Sequence, residues 1–143
     1  METNKQRVVL LQGSFDIINW GHIRAFERAK SLGDFLIIAL NSNPLFRSYK
    51  GVPVLPYYQK KFIIESCRFV DKVVKATEMS PRKLLDKYDV DVYVLTREWK
   101  EARKDDIEYM KSRGKRVVFS PRFKGVVTTW QIKQKLIKEF TNQ

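Results

Sequence analysis

Apolar residues fall into short β-favouring runs separated by longer stretches with a helical rhythm. Val8 to Leu11 is unbroken and ends at Gly13, the pattern of a strand covered on both faces, as in a parallel sheet. From Gly21 to Gly33, Ile23, Phe26, Ala29 and Leu32 gather on one side, with Arg24, Glu27, Arg28 and Lys30 largely on the other. Gly33 stops that helix. Phe35 to Leu40 reads as a second strand, and Asn41 to Leu55, with a glycine and two prolines, as a loop. Pro56 opens a helix to about Phe69, Lys72 to Ala76 is a third strand, and Ser80-Pro81 caps and starts another helix. Asp91 to Thr96 is a fourth strand, Lys100 to Arg113 a charged helix ending at Gly114, and Arg116 to Phe119 a fifth strand. The last helix runs from near Thr128 to about Phe140.

Strands alternating with helices predict one α/β domain over residues 1–143: a doubly wound, Rossmann-like fold with a five-stranded parallel sheet and helices on both faces. Ligands of such sheets bind beyond the carboxyl ends of the strands. That places a site among residues 13–22, 41–50, 96–99 and 122–129.

The composition narrows the class. The chain has 143 residues, 43% hydrophobic and 31% charged, enough apolar material for one core. No apolar run is long enough to cross a bilayer, and no signal peptide is read at the polar start, so a cytoplasmic protein with no membrane partner is expected. Cys67 is the one cysteine, so no intrachain disulfide forms, and its apolar surroundings read as core packing. With one cysteine and one histidine, a Cys/His zinc site is excluded, and no protein metal site is expected. A net charge of +12 suits anionic partners without choosing among them.

The segment Gly13-Ser14-Phe15-Asp16-Ile17-Ile18-Asn19-Trp20-Gly21-His22 joins the first strand to the first helix. Gly13 permits a sharp turn. The helix start offers free N–H groups and a partial positive charge to a phosphate. Gly21 leaves room for a phosphate to approach the backbone. His22 stands in the first helical turn, where a ring nitrogen can donate to a phosphoryl oxygen and offset charge built up in transfer.

Gly13-Ser14-Phe15-Asp16 and Asn19-Trp20-Gly21-His22 resemble the G-[ST]-F-D and [HT]-x-G-H signatures of the cytidylyltransferase-like nucleotidyltransferases. Residues 27–34, 68–73 and 91–94 are similar to the glycerol-3-phosphate cytidylyltransferase type, and Lys50-Gly51 with Pro53-Val54 and Pro56 to the heptose-phosphate adenylyltransferases. Residues 122–129 resemble the R-T-E-G-I-S-T-T nucleotide-binding segment. The resemblance implies the following roles. His22, with Asn19 and Lys50, is catalytic; Asn19 stands where cytidylyltransferases carry His, and can donate a hydrogen bond but carry no charge. Gly13, Ser14, Phe15, Asp16, Gly21, Thr96, Trp99, Arg122, Gly125, Thr128 and Thr129 bind nucleotide. Arg68 and Lys60 bind the acceptor. Mg²⁺ comes with the triphosphate, and the protein is a homodimer.

The function expected is transfer of a nucleotidyl group, CMP favoured, from a nucleoside triphosphate to a small phosphorylated acceptor such as glycerol 3-phosphate, with release of pyrophosphate. One alternative is adenylyl transfer to a sugar 1-phosphate. Another is a catalytically reduced nucleotide- or nucleic-acid-binding protein, ranked last because no RNA-stacking or helix-turn-helix signature is present.

Overall fold

The computed structural model describes residues 5–142; Met1–Asn4 and Gln143, which the expected domain includes, lie outside the described residues. Five strands form one parallel sheet: β1 (Val8–Gly13), β2 (Phe35–Asn41), β3 (Lys72–Ala76), β4 (Val92–Thr96) and β5 (Arg116–Ser120). Their spatial order is β3-β2-β1-β4-β5. The chain therefore winds outward from β1 in one direction through β2 and β3, then returns to the other side through β4 and β5. The crevice between β1 and β4 is the topological switch point of the sheet.

The helices are α1 (Trp20–Lys30), α2 (Asn43–Tyr49), α3 (Tyr57–Glu65), α4 (Arg82–Lys87), α5 (Lys104–Ser112) and α6 (Thr129–Thr141). Strand alternation feeds two cores. Val9, Leu11, Leu36, Ile38, Val92 and Val94 pack with Phe26 and Ala29 of α1 and Ile64 of α3. Leu10, Ile37, Ala39, Tyr93 and Leu95 pack with Leu85 of α4 and with Ile107 and Met110 of α5. The sheet is covered on both faces, as the unbroken apolar runs require.

Three segments differ from the sequence expectation. The stretch 41–55 is not all loop: Ser42 Oγ accepts from Leu45 N–H at 3.2 Å, Pro44 sits in the first turn, and Phe46 is buried, so these loop-favouring residues start a helix. α3 ends at Glu65, and residues beyond it turn toward β3. The charged helix begins only at Lys104, because residues 97–99 form a 3₁₀ turn and Arg103 N–H donates to Trp99 O at 2.8 Å.

Candidate active site

The turn after β1 is compact and strained. Phe15 and Ile17 both have positive φ, 46° and 51°, a conformation costly for a β-branched residue such as Ile17. The Phe15 ring folds back over Gly13, where an added Cβ would lie 2.6 Å from the ring. That ring stands edge-on to both His22 and Phe26, at 5.4 and 5.0 Å between centroids. The strained backbone is held from outside: Asn19 Nδ2 donates to Ile17 O at 3.1 Å, and Thr129 Oγ1 to Asp16 O at 3.2 Å.

Asn19 caps α1, with its side-chain oxygen accepting from Gly21 N–H at 3.0 Å. Its amide also donates to Thr129 Oγ1 at 3.2 Å. The expected free donor is thus already engaged on every side, although Asn19 does line the cleft. The reciprocal half of the cap comes from His22, whose Nδ1 accepts from Asn19 N–H at 3.2 Å. This bond fixes the neutral tautomer with its proton on Nε2. Burial, reinforced by the Lys50 charge and opposed by Asp16, lowers the His22 pKa to about 4. His22 is therefore a neutral hydrogen-bond donor at pH 7.

A cleft of about 730 Å³ opens across the carboxyl edge of the sheet. Gly13, Ser14, Phe15, Gly21, His22, Lys50, Thr96, Trp99, Arg122, Thr128 and Thr129 line it, together with Asn19. Its charged lining consists of Lys50, Arg103 and Arg122 against Glu98, a wall suited to anions. Lys50 is exposed and follows α2. Tyr49 and Trp99 meet edge-on at 6.2 Å. Asn41 Nδ2 donates to Ser14 Oγ and to Tyr49 Oη, both at 3.0 Å, and Gln12 Nε2 to Asn41 Oδ1 at 2.9 Å and Glu78 O at 2.8 Å.

Five expected residues behave differently. Asp16 lies behind the cleft wall, buried, and its carboxylate accepts from Val54 N–H at 2.8 Å and Leu55 N–H at 3.0 Å, with Lys133 Nζ at 3.7 Å. It ties the segment after Lys50 to the first turn. At Gly21 an added Cβ would lie 2.5 Å from Val126 Cγ1, so the glycine makes room for the 121–127 segment rather than for a phosphate. Gly125 does not line the cleft; it has φ of 81° and serves a turn. Lys60 is fully buried, with Nζ 5.2 Å from the Phe46 ring centroid and no hydrogen-bond partner among the described residues, so it cannot meet an acceptor in the cleft. Burial lowers its pKa, and Asp16 opposes the shift. Arg68 is at the amino edge of the sheet, just before Asp71, whose carboxylate accepts from Leu36 N–H at 2.7 Å near the start of β2. The cleft is at the other edge.

Sequence reasoning did not single out Gln12, Asn41, Tyr49, Arg103 or Trp130, all of which line the cleft. Asn41 and Tyr49 fall inside a segment the sheet topology had pointed to. Arg103 carried no signal beyond its position four residues after Trp99.

A parallel sheet with a cationic cleft at its switch point and an imidazole on the first helical turn defines a doubly wound α/β protein with a cleft suited to anions. Residues 10–140 match the family model described as cytidylyltransferase-like, and the chain belongs to that family. It is 32% identical over 130 residues to glycerol-3-phosphate cytidylyltransferase of Bacillus subtilis (strain 168), covering 90% of this chain and 95% of that protein. It is 35% identical over 103 residues to the bifunctional protein HldE of Campylobacter jejuni (strain RM1221), covering 71% of this chain and 22% of that protein. The crystal structure of the lipopolysaccharide core biosynthesis protein from Thermoplasma volcanium GSS1 superposes with a TM-score of 0.73 at 21% identity, over 83% of this chain and 99% of that one, a likeness of fold.

Proposed function

We propose that this chain is a nucleotidyltransferase that joins the nucleotidyl group of a nucleoside triphosphate, CTP favoured, to a small phosphorylated acceptor such as glycerol 3-phosphate. The single observation that carries the reading is His22 on the cleft wall, held neutral, with Nδ1 taken by its capping bond and its proton left on Nε2. Family membership and the length-spanning similarity to a glycerol-3-phosphate cytidylyltransferase support it.

In the reaction, an acceptor phosphate oxygen attacks the α-phosphorus in line. The new O–P bond forms as the bond to the β-phosphate oxygen breaks, and pyrophosphate leaves with the electron pair. His22 donates to an α-phosphate oxygen, where negative charge grows. Lys50 and Arg122 hold the triphosphate, and Thr128 and Thr129 receive it at the start of α6. Ser14, Phe15, Thr96 and Trp99 border the nucleoside. Asn19 serves by positioning His22. The triphosphate arrives as its Mg²⁺ complex.

A nucleoside triphosphate substrate supports a cytoplasmic location. No helix of the described residues is long and apolar enough to cross a membrane. A homodimer accords with the exposed apolar face of α3, where Tyr58, Phe62 and Ile63 stand in solvent. Adenylyl transfer to a sugar 1-phosphate is the second reading, favoured by the similarity to HldE.

Pyrophosphate release with each of four triphosphates, paired with glycerol 3-phosphate or a sugar 1-phosphate, tests both. CTP with glycerol 3-phosphate is expected to give the fastest release, and His22→Ala to lower kcat by about 10²–10³-fold. Turnover with ATP and a sugar 1-phosphate alone selects the second reading. Release of no pyrophosphate from any pair rejects both.

A further inference from the structure

The cleft straddles the edge of the sheet, and its two sides differ in chemistry. On the α1 side stand His22 and the start of α6. On the α5 side Trp99 packs against the core layer built on α4 and α5. There the wall is made by Gln12, Asn41, Tyr49, Trp99 and Arg103.

Arg103 is out of balance with its surroundings. Its side chain is 19% exposed, and its Nε is buried. Its one ion contact is Nη1 to Asp106 Oδ2 at 3.5 Å, longer than a charge-assisted hydrogen bond. Asp106 is itself shared: Oδ1 accepts from Ser80 Oγ at 2.8 Å and faces Arg82 Nε at 3.4 Å. No Arg103 side-chain N–H makes a hydrogen bond to any described residue, and Nε is buried without a partner. A guanidinium offers five donors, and a largely buried cation without acceptors is costly. A cation so placed on the wall of an open cleft is completed by an anion entering that cleft. The same wall carries neutral groups: the Asn41 amide is spent on Ser14, Tyr49 and Gln12, while Gln12 Oε1 is buried without a partner among the described residues and would accept from a hydroxyl.

We infer that Arg103 is the anchor for the phosphate of the acceptor, a small phosphomonoester bearing hydroxyl groups, presented from the α5 side toward the α-phosphorus of the nucleotide. The inference rests on the nucleotidyl-transfer reading and deepens it. It gives the acceptor a cation, a role for which Lys60 is too deeply buried and Arg68 lies at the wrong edge of the sheet. A fork of parallel donors also matches a phosphate better than an ammonium does.

The test is calorimetric titration of CTP, glycerol 3-phosphate, inorganic phosphate and glycerol, each separately, into the wild-type protein and into Arg103→Gln and Arg103→Lys. Thermal melts check the fold of each variant. Arg103→Gln should weaken glycerol 3-phosphate and inorganic phosphate at least tenfold while leaving CTP within twofold. Arg103→Lys should fall between, and it carries the test alone if Arg103→Gln melts early. Glycerol should bind no variant differently from wild type. The inference is overturned if phosphate compounds bind both variants as they bind wild type, if CTP is the ligand weakened, or if wild type binds neither phosphate compound. Failure of nucleotidyl transfer itself would show separately, as wild-type protein that releases no pyrophosphate, and the phosphate titrations would still decide the role of Arg103.

Discussion

α1 and α6 begin side by side on one side of the cleft, where Asn19 Nδ2 donates to Thr129 Oγ1, and both begin with the same device, a capping box. In α1 it joins Asn19 to His22; in α6 it joins Thr128 to Gln131, with bonds of 2.9 and 3.2 Å. The Thr–Gln pair is the ordinary form. It sits on a helix with no buried residue, whose Trp130 and Phe140 are 69% and 70% exposed. The Asn–His pair lies against the core, beside Phe15 and Phe26. The contrast shows what an imidazole adds at that position. Glutamine there only closes the helix, whereas histidine closes it through Nδ1 and leaves a proton on the far nitrogen, facing the cleft. The start of α1 is thus built into the core and that of α6 rests on few contacts, so perturbing the first should cost far more.

The largest difference is expected at Asp16, which ties the first turn to the segment after Lys50 and to α6. Asp16→Ala strands the N–H groups of Val54 and Leu55 and leaves Lys60 without its opposing charge. A loss of about 3–4 kcal/mol in urea unfolding is expected. Lys133→Ala, which removes the α6 partner of the same carboxylate at 3.7 Å, should change stability by no more than about 0.5 kcal/mol. Equal losses would mean that α6 is as firmly built in as the first turn.

Acid should act on the α1 wall next. His22 titrates at about 4 when folded and near its ordinary 6.5 when unfolded. Between those values the unfolded chain binds more protons, so His22 lowers stability as pH falls from 6.5 to 4, by up to about 3 kcal/mol. Above pH 6.5 that contribution is constant. His22→Gln keeps a capping side chain at the same position and should flatten that part of the profile, measured by denaturant unfolding at a series of pH values. An unchanged slope would show that the imidazole is not held neutral. A bound triphosphate should raise the His22 pKa, which the imidazole proton resonances can follow.

The legibility of the cleft in the sequence was as uneven as its construction. The five strands and the two-faced core followed from runs such as Val8–Leu11 and Phe35–Leu40, because burial on both faces leaves little room for polar residues. Gly13 and His22 could be placed because a strand-to-helix turn has few geometries. Charged residues could not be sorted in the same way. Lys60 and Lys50 are the same letter in the sequence, yet one is sealed against Phe46 and the other stands in the cleft, a difference fixed by which face of α3 meets α2. Arg68 was drawn toward function by its motif, while the end of α3 carries it to the amino edge. The helix at Asn43–Tyr49 stayed hidden because serine and proline punctuate loops and begin helices alike.

The smallest effects give the finest comparison, since they remove the two caps themselves. Asn19→Ala takes away the acceptor for Gly21 N–H, the donor to Ile17 O beneath a residue of positive φ, and the link to Thr129. About 1–2 kcal/mol of global stability should go with it. Thr128→Ala takes away one exposed bond to Gln131 N–H and should cost about 0.5 kcal/mol. Because no residue of α6 is fully buried, that cost should appear as local opening: faster amide hydrogen exchange confined to residues 129–141, with the urea midpoint nearly unmoved. Saturating triphosphate should slow the exchange again, because a ligand across the cleft supplies the contacts that the chain does not. A Thr128→Ala protein that loses as much global stability as Asn19→Ala would place α6 within the cooperative core and erase the distinction between the two helix starts.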